Sequence, residues 1–160
     1  MIPDPSVVEV TFESALKNVE VAEDIARRVS ATVGFDEDDR QKIELAVHEA
    51  MINAIWHGNK NDATKQVWLQ FRIHKDRLEI QVRDQGFGFD LSQVPDPLAD
   101  ENLLKITGRG IFLMRSFMDD IRVENTQGSG TNVILVKRFN SNIKASPGGG
   151  TEREHEGHNT

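Results

Sequence analysis

Glu49 and Asn53 stand four residues apart in the run EAMINAIWHGN, a spacing that places a carboxylate and an amide on one face of a helix. Further along, Asp84-Gln85-Gly86-Phe87-Gly88 follows an alternating apolar segment and puts an acid and two glycines at a strand end. A side-chain amide offers the hard oxygen that Mg²⁺ takes alongside phosphate, and a carboxylate can take a proton from an attacking group. An acid at a strand end can accept a hydrogen bond from an exocyclic amine such as that of adenine. Glycines beside it let backbone approach a flat ring. Each piece has a plainer reading: Glu49 and Asn53 satisfying nearby backbone groups, and Asp84 opening an ordinary turn. Taken together they suggest a site for a nucleotide and its metal.

Two further pieces come later in the chain. Gly108-Arg109-Gly110 opens a segment with Ile111, Met114 and Phe117 at helical spacing. Free N–H groups at a helix start suit phosphate, and an arginine adds a cation that forks onto phosphate oxygens. Gly130-Thr131 follows a turn and enters a last strand, where Thr131 could offer a hydroxyl toward a base.

The elements that must position these residues are legible from periodicity. Val8, Val10 and Phe12 alternate as a first strand. Val19, Ala22, Ala26, Val29 and Val33 recur as a helix, with Asn18 as its expected N-cap and Gly34 as its stop. Asp36 caps a second helix that runs to about His57, where Gly58 ends it. Ile43, Val47, Ala50 and Ala54 form its apolar stripe; Leu45, Ile52, Ile55 and Trp56 cover much of the remaining circumference, which predicts a buried helix. Val67 to Ile73 and Leu78 to Val82 alternate around a polar break and predict a hairpin. Residues 85–107 read as a long loop with a short helix around Glu101 to Ile106. Ile121 and Val123 begin a strand, and Thr131 to Phe139 return as the last one. The expected fold is α+β: a two-layer sandwich with a mixed, mostly antiparallel sheet and helices on one face.

Composition bounds the function. A chain of 160 residues with 38% hydrophobic and 28% charged residues suits one soluble domain, here over residues 1–140. Residues 141–160 begin with a Pro-Gly-rich stretch and then lack aliphatic residues, which predicts a disordered polar tail whose His155 and His158 are merely solvated. A net charge of −7 argues against direct contact with nucleic acid. The chain has no cysteine, so disulfides and thiolate metal sites are excluded. No apolar run reaches the length of a membrane span and Met1-Ile2-Pro3-Asp4 does not open a signal peptide, so a cytoplasmic protein with no membrane contact is expected.

The order of these pieces resembles the GHKL ATPase superfamily, whose adenine nucleotide lies in a Bergerat-type pocket. Glu49 and Asn53 match its N box. Asp84, Gly86 and Gly88 match the first glycine box, Gly108, Arg109 and Gly110 with the preceding Thr107 the second, and Gly130-Thr131 the last. The stretches ELAVHEAMINAIWHGN and GRGIFLMRSFMDDI, with Pro95-Asp96-Pro97 between them, are most similar to the anti-sigma factor serine kinases of the RsbW and SpoIIAB-like branch, over residues 7–139.

The resemblance implies a Bergerat fold that binds ATP or ADP with Mg²⁺. Asn53 would be the metal ligand, Asp84 the partner of the adenine amine and Glu49 the general base. Gly86, Gly88, Thr107, Gly108, Arg109, Gly110 and Thr131 would line the nucleotide, under a lid formed by residues 89–107. It further implies an anti-sigma factor with serine/threonine kinase activity toward a STAS-type anti-anti-sigma protein, regulating transcription by partner switching, and a homodimer. Two alternatives stand beside this: a nucleotide-gated binding module without phosphotransfer, and a stand-alone histidine-kinase-like ATPase domain. The second would need a phospho-accepting helical hairpin upstream, and His48 and His57 fall inside the proposed nucleotide domain.

Overall fold

The computed structural model of the chain describes residues 4–86, 110–126 and 129–140. Strand β1 (Ser6–Glu13) leads into helix α1 (Lys17–Val33) and helix α2 (Glu37–Ile52), which continues without a break into a π turn (Asn53–Gly58). The hairpin β2 (Gln66–Ile73) and β3 (Arg77–Arg83) follows, then helix α3 (Gly110–Phe117) and strands β4 (Asp120–Thr126) and β5 (Gly130–Arg138). The five strands form one sheet in the order β1-β2-β3-β5-β4, and every pairing among them is antiparallel. The expected α+β sandwich is therefore present, with no parallel pair among the described strands.

Register shows why alternation was so clear in the sequence. Val8, Phe71, Ile80, Leu135 and Ile121 lie side by side across all five strands, and Val10, Leu69, Val82, Val133 and Val123 form the next row. One sheet face thus carries continuous apolar rows, against which Ile43, Val47, Ala50 and Ala54 of the second helix and its π turn are buried. The opposite face is mostly polar, apart from the buried Ile134 and Val136 of β5: Gln70 donates to Glu9 (3.3 Å), Asn132 donates to Gln81 (3.2 Å), and the Arg83 guanidinium lies 4.4 Å from the centre of the Trp68 ring.

The inner face closes on a charge. Lys137 is 7% exposed, and its Nζ donates to the Phe117 carbonyl (3.0 Å) and lies 3.6 Å from Asp39 Oδ1 at the start of α2. A buried ammonium needs such partners, and this one joins β5 to the ends of α2 and α3. Between α1 and α2, Arg27 bridges Asp24 and Glu44, and His48 pairs with Glu23. Such half-exposed pairs fix orientation more than they stabilise.

Local signals decide most boundaries. Gly34 ends α1 at φ 99°, a left-handed conformation that suits glycine. Asp36 caps α2 by accepting from the Asp39 N–H (2.8 Å), with Glu37, Asp38 and Asp39 in the first turn. Asn18 does not cap α1: the helix already begins at Lys17, and the Asn18 amide instead donates to the Glu13 carbonyl (2.8 Å), tying the end of β1 to the helix start. The second helix is also less enclosed than its sequence predicts. Ile55 is fully buried, but Leu45 and Trp56 are 49% and 51% exposed. The sheet covers one side of the helix and α1 and α3 flank it, so its outward side meets solvent. The predicted helix around Glu101 to Ile106 and the tail at 141–160 lie outside the described residues.

Candidate nucleotide site

Glu49 belongs to the last turn of α2 and Asn53 is the first residue of the π turn, and both are half-buried on the side that meets α3. Gly110 lies directly against them. A methyl group on its Cα would sit 3.2 Å from Asn53 Nδ2, 3.2 Å from Glu49 Oε2 and 3.3 Å from Asn53 Oδ1. The acid, the amide and the last glycine of the Gly108-Arg109-Gly110 run thus meet at one point. Among the described residues, Asn53 Nδ2 is buried there without a hydrogen-bond partner, and Glu49 has no side-chain hydrogen bond or ion pair. A buried amide without a partner is costly, and a ligand beside it would relieve that cost.

The second half of the site is built around Asp84, the residue after β3, which is 5% exposed. Its backbone N–H donates to the Thr131 carbonyl (3.0 Å), and the Thr131 N–H returns a bond to Asp84 Oδ1 (3.1 Å). The Gly86 N–H donates to the same oxygen (2.9 Å). One carboxylate oxygen is therefore held by two backbone donors, leaving Oδ2 to face elsewhere. Burial raises the Asp84 pKa above the usual carboxylate range, and the bonds from Gly86 and Thr131 and the charge of Lys65 act against that shift.

Glycines make this burial possible. A Cβ on Gly58 would lie 2.1 Å from Asp84 Oδ2, one on Gly86 would lie 2.2 Å from the Gly58 carbonyl oxygen, and one on Gly130 would lie 2.1 Å from the Asp84 carbonyl oxygen. Gly130 also has φ 102°. Any larger residue at these positions displaces the carboxylate or the backbone that holds it.

Of the residues selected from the sequence, Glu49, Asn53 and Gly110 come together, and Asp84, Gly86 and Thr131 come together. Thr131 contributes through its backbone, while its hydroxyl donates to Asn125 Oδ1 (3.0 Å). Gly88, Thr107, Gly108 and Arg109 lie outside the described residues. Sequence reading took Gly58 only as a helix end. Its contact with Asp84 is long-range, and nothing local signals it. His57, four residues beyond Asn53, is exposed, because the π turn rotates it away from the spacing of an α-helix.

Among the described residues there is no group of three or more His, Asp or Glu side chains that could hold a metal by themselves. Also among the described residues, no helix is long and apolar enough to cross a membrane.

Comparison with known proteins places the chain in a family. The family model described as a histidine kinase-like ATPase domain matches residues 12–137. The chain is 34% identical over 120 residues to the serine-protein kinase RsbW of Bacillus subtilis (strain 168), covering 70% of this chain and 72% of that one. It is 34% identical over 105 residues to the anti-sigma F factor of Clostridium beijerinckii, covering 64% of this chain and 73% of that one. With the serine-protein kinase RsbW of Listeria innocua the identity is 27% over 118 residues. The chain belongs to the histidine kinase-like ATPase domain family, in the branch that holds the RsbW serine-protein kinases and the anti-sigma F factor.

Proposed function

We propose that this protein is an ATP-dependent serine/threonine kinase of a STAS-type anti-anti-sigma protein, and that it holds a sigma factor when that partner is phosphorylated. The observation that carries the reading is the meeting of Glu49, Asn53 and Gly110 at one point, with the buried Asp84 at the other end of the same π turn. The names of the relatives supply a protein serine as the acceptor and a sigma factor as a partner, and the STAS-type acceptor rests on the resemblance of the motifs.

In this reading Asn53 holds Mg²⁺ through its side-chain oxygen, and Asp84 Oδ2 accepts from the adenine amine. When bound with the phosphates, a metal held by Asn53 would supply positive charge to offset the charge that develops on the transferring group. Gly86 and Gly88 lie under the base. Thr107, Gly108, Arg109 and Gly110 hold the phosphates. Glu49 takes the proton of the partner's serine as its oxygen bonds to the γ-phosphorus. The bond from that phosphorus to the bridging oxygen breaks, leaving ADP. The phosphoserine dianion then weakens a fitted protein interface, which releases the product. Such a protein acts on transcription without contacting DNA, as its net charge of −7 suits. A cytoplasmic homodimer completes the proposal.

The test is direct. The full chain is incubated with Mg²⁺, γ-labelled ATP and a STAS protein encoded in the same genome. Label on a serine of the STAS protein is the expected result. ATP binding without any phosphoserine would leave a nucleotide-gated binding module in place of a kinase.

A further inference from the structure

Asn59 follows the π turn and is completely buried. Its backbone N–H donates to the Ala54 carbonyl (2.8 Å), five residues back, and so closes the turn that begins at Asn53. Its side chain points the other way. Nδ2 donates to Ser14 Oγ (3.0 Å) at the end of the first strand and to the Gln66 carbonyl (3.0 Å) at the start of β2. Oδ1 accepts from the Gln85 N–H (2.8 Å), in the turn that carries Asp84 and Gly86. The Gln85 side chain completes the loop by accepting from the Gln66 N–H (2.7 Å). Ser14 is itself completely buried, so the Asn59 amide and the Ser14 hydroxyl are shielded from water, while Gln66 and Gln85 lie at the exposed edge of the cluster.

We infer that Asn59 is a positioning residue that fixes the base-reading turn at Asp84 relative to the metal-side amide of Asn53, and so sets selectivity for adenine. This rests on the nucleotide reading above. Asn59 belongs to both halves of the site: its backbone ends the turn that starts at Asn53, and its side chain holds the residue next to Asp84. Without the amide, the Gln85 N–H loses its acceptor, and the turn keeps the bonds that Asp84 makes to Gly86 and Thr131 and the one that Gln85 accepts from the Gln66 N–H. Those bonds tie the turn to itself and to the neighbouring strands but do not anchor it to the helix. Asp84 then shifts relative to a base whose phosphates are held elsewhere. The loss falls on base recognition, and the phosphate end is untouched.

The full chain is titrated calorimetrically with ADP, GDP and pyrophosphate in the presence of Mg²⁺. Asn59→Ala is expected to lower the ratio of ADP to GDP affinity about tenfold and to leave pyrophosphate affinity unchanged, the loss of one buried hydrogen bond being felt at one end of the ligand. Asn59→Asp keeps an acceptor for the Gln85 N–H and restores most of the ratio, although it loses stability by facing the Gln66 carbonyl. A purely structural role would instead weaken ADP and pyrophosphate alike, or lower stability with the ratio unchanged, and either result overturns the inference. Should Asn59→Ala not remain folded, Ser14→Ala removes one anchor of the same amide. A drop in the ratio of about threefold is then expected, and no change overturns the inference. If the unaltered chain bound no ADP at all, the nucleotide reading itself would fall and this inference with it.

Discussion

Glu49→Gln is expected to lower phosphotransfer to the protein partner at least a hundredfold while leaving Mg-ATP affinity within about threefold, since a positioned general base contributes roughly 10²–10⁴ to rate. The substitution is close to isosteric and keeps the contact with Gly110. Glu49 has no side-chain partner among the described residues, so the fold should lose less than about 1 kcal/mol. The selective fall in rate is the signature. Single-turnover labelling of the partner's serine, run beside an equilibrium titration of the nucleotide, measures both quantities. Equal rates for the two proteins would remove Glu49 from the chemistry. A large fall in ATP affinity would instead make Glu49 part of the binding site.

Asp84→Asn has a different signature, in which ligand affinity and stability move in opposite directions. The variant keeps a side-chain carbonyl for the Gly86 and Thr131 N–H groups but turns an NH₂ toward the position of Oδ2, where it faces the adenine amine donor to donor. Loss of a hydrogen bond to a charged group costs about 1.5–3 kcal/mol, or roughly ten- to a hundredfold in ADP affinity. The unliganded protein should become more stable at neutral pH. Burial is the main cause of the raised Asp84 pKa, so the folded state binds this proton more tightly than the unfolded chain does. The stability this group contributes is fully present below the ordinary carboxylate range and is lost as pH rises through the raised folded value. The gain from Asn should therefore vanish in acid, where Asp84 is protonated anyway. Denaturation at a series of pH values, paired with ADP titrations at neutral pH, tests both arms. A variant that binds ADP normally would refute the base-reading role.

The hairpin was written plainly in the sequence because β2 and β3 each bury one face, so their apolar residues fall at every second position; β5 is buried on both faces from Val133 to Lys137, and its Val133 to Val136 read as a continuous apolar run. The caps at Gly34 and Asp36 were legible for an equally local reason. What could not be read was set by partners far along the chain. The π turn uses bonds one residue longer than those of an α-helix, and the apolar spacing of EAMINAIWHGN does not announce it. Gly58 looked like a plain helix end, yet its missing side chain is what gives Asp84 room. Asn59 looked like any polar residue after a glycine, and only the fold shows Ser14, Gln66 and Gln85 around it. Leu45 and Trp56 looked like core, and their exposure follows from which sides of the helix its neighbours cover.

The claim on which the rest depends is that Asn53 and Asp84 serve one ligand, a purine nucleotide with its cation. Titration calorimetry of the full chain with ADP, in buffer with millimolar Mg²⁺, tests it most directly. A saturable signal with one nucleotide per chain, weakened when the metal is chelated, is the predicted result. An absence of heat with millimolar ADP and the cation present would contradict it.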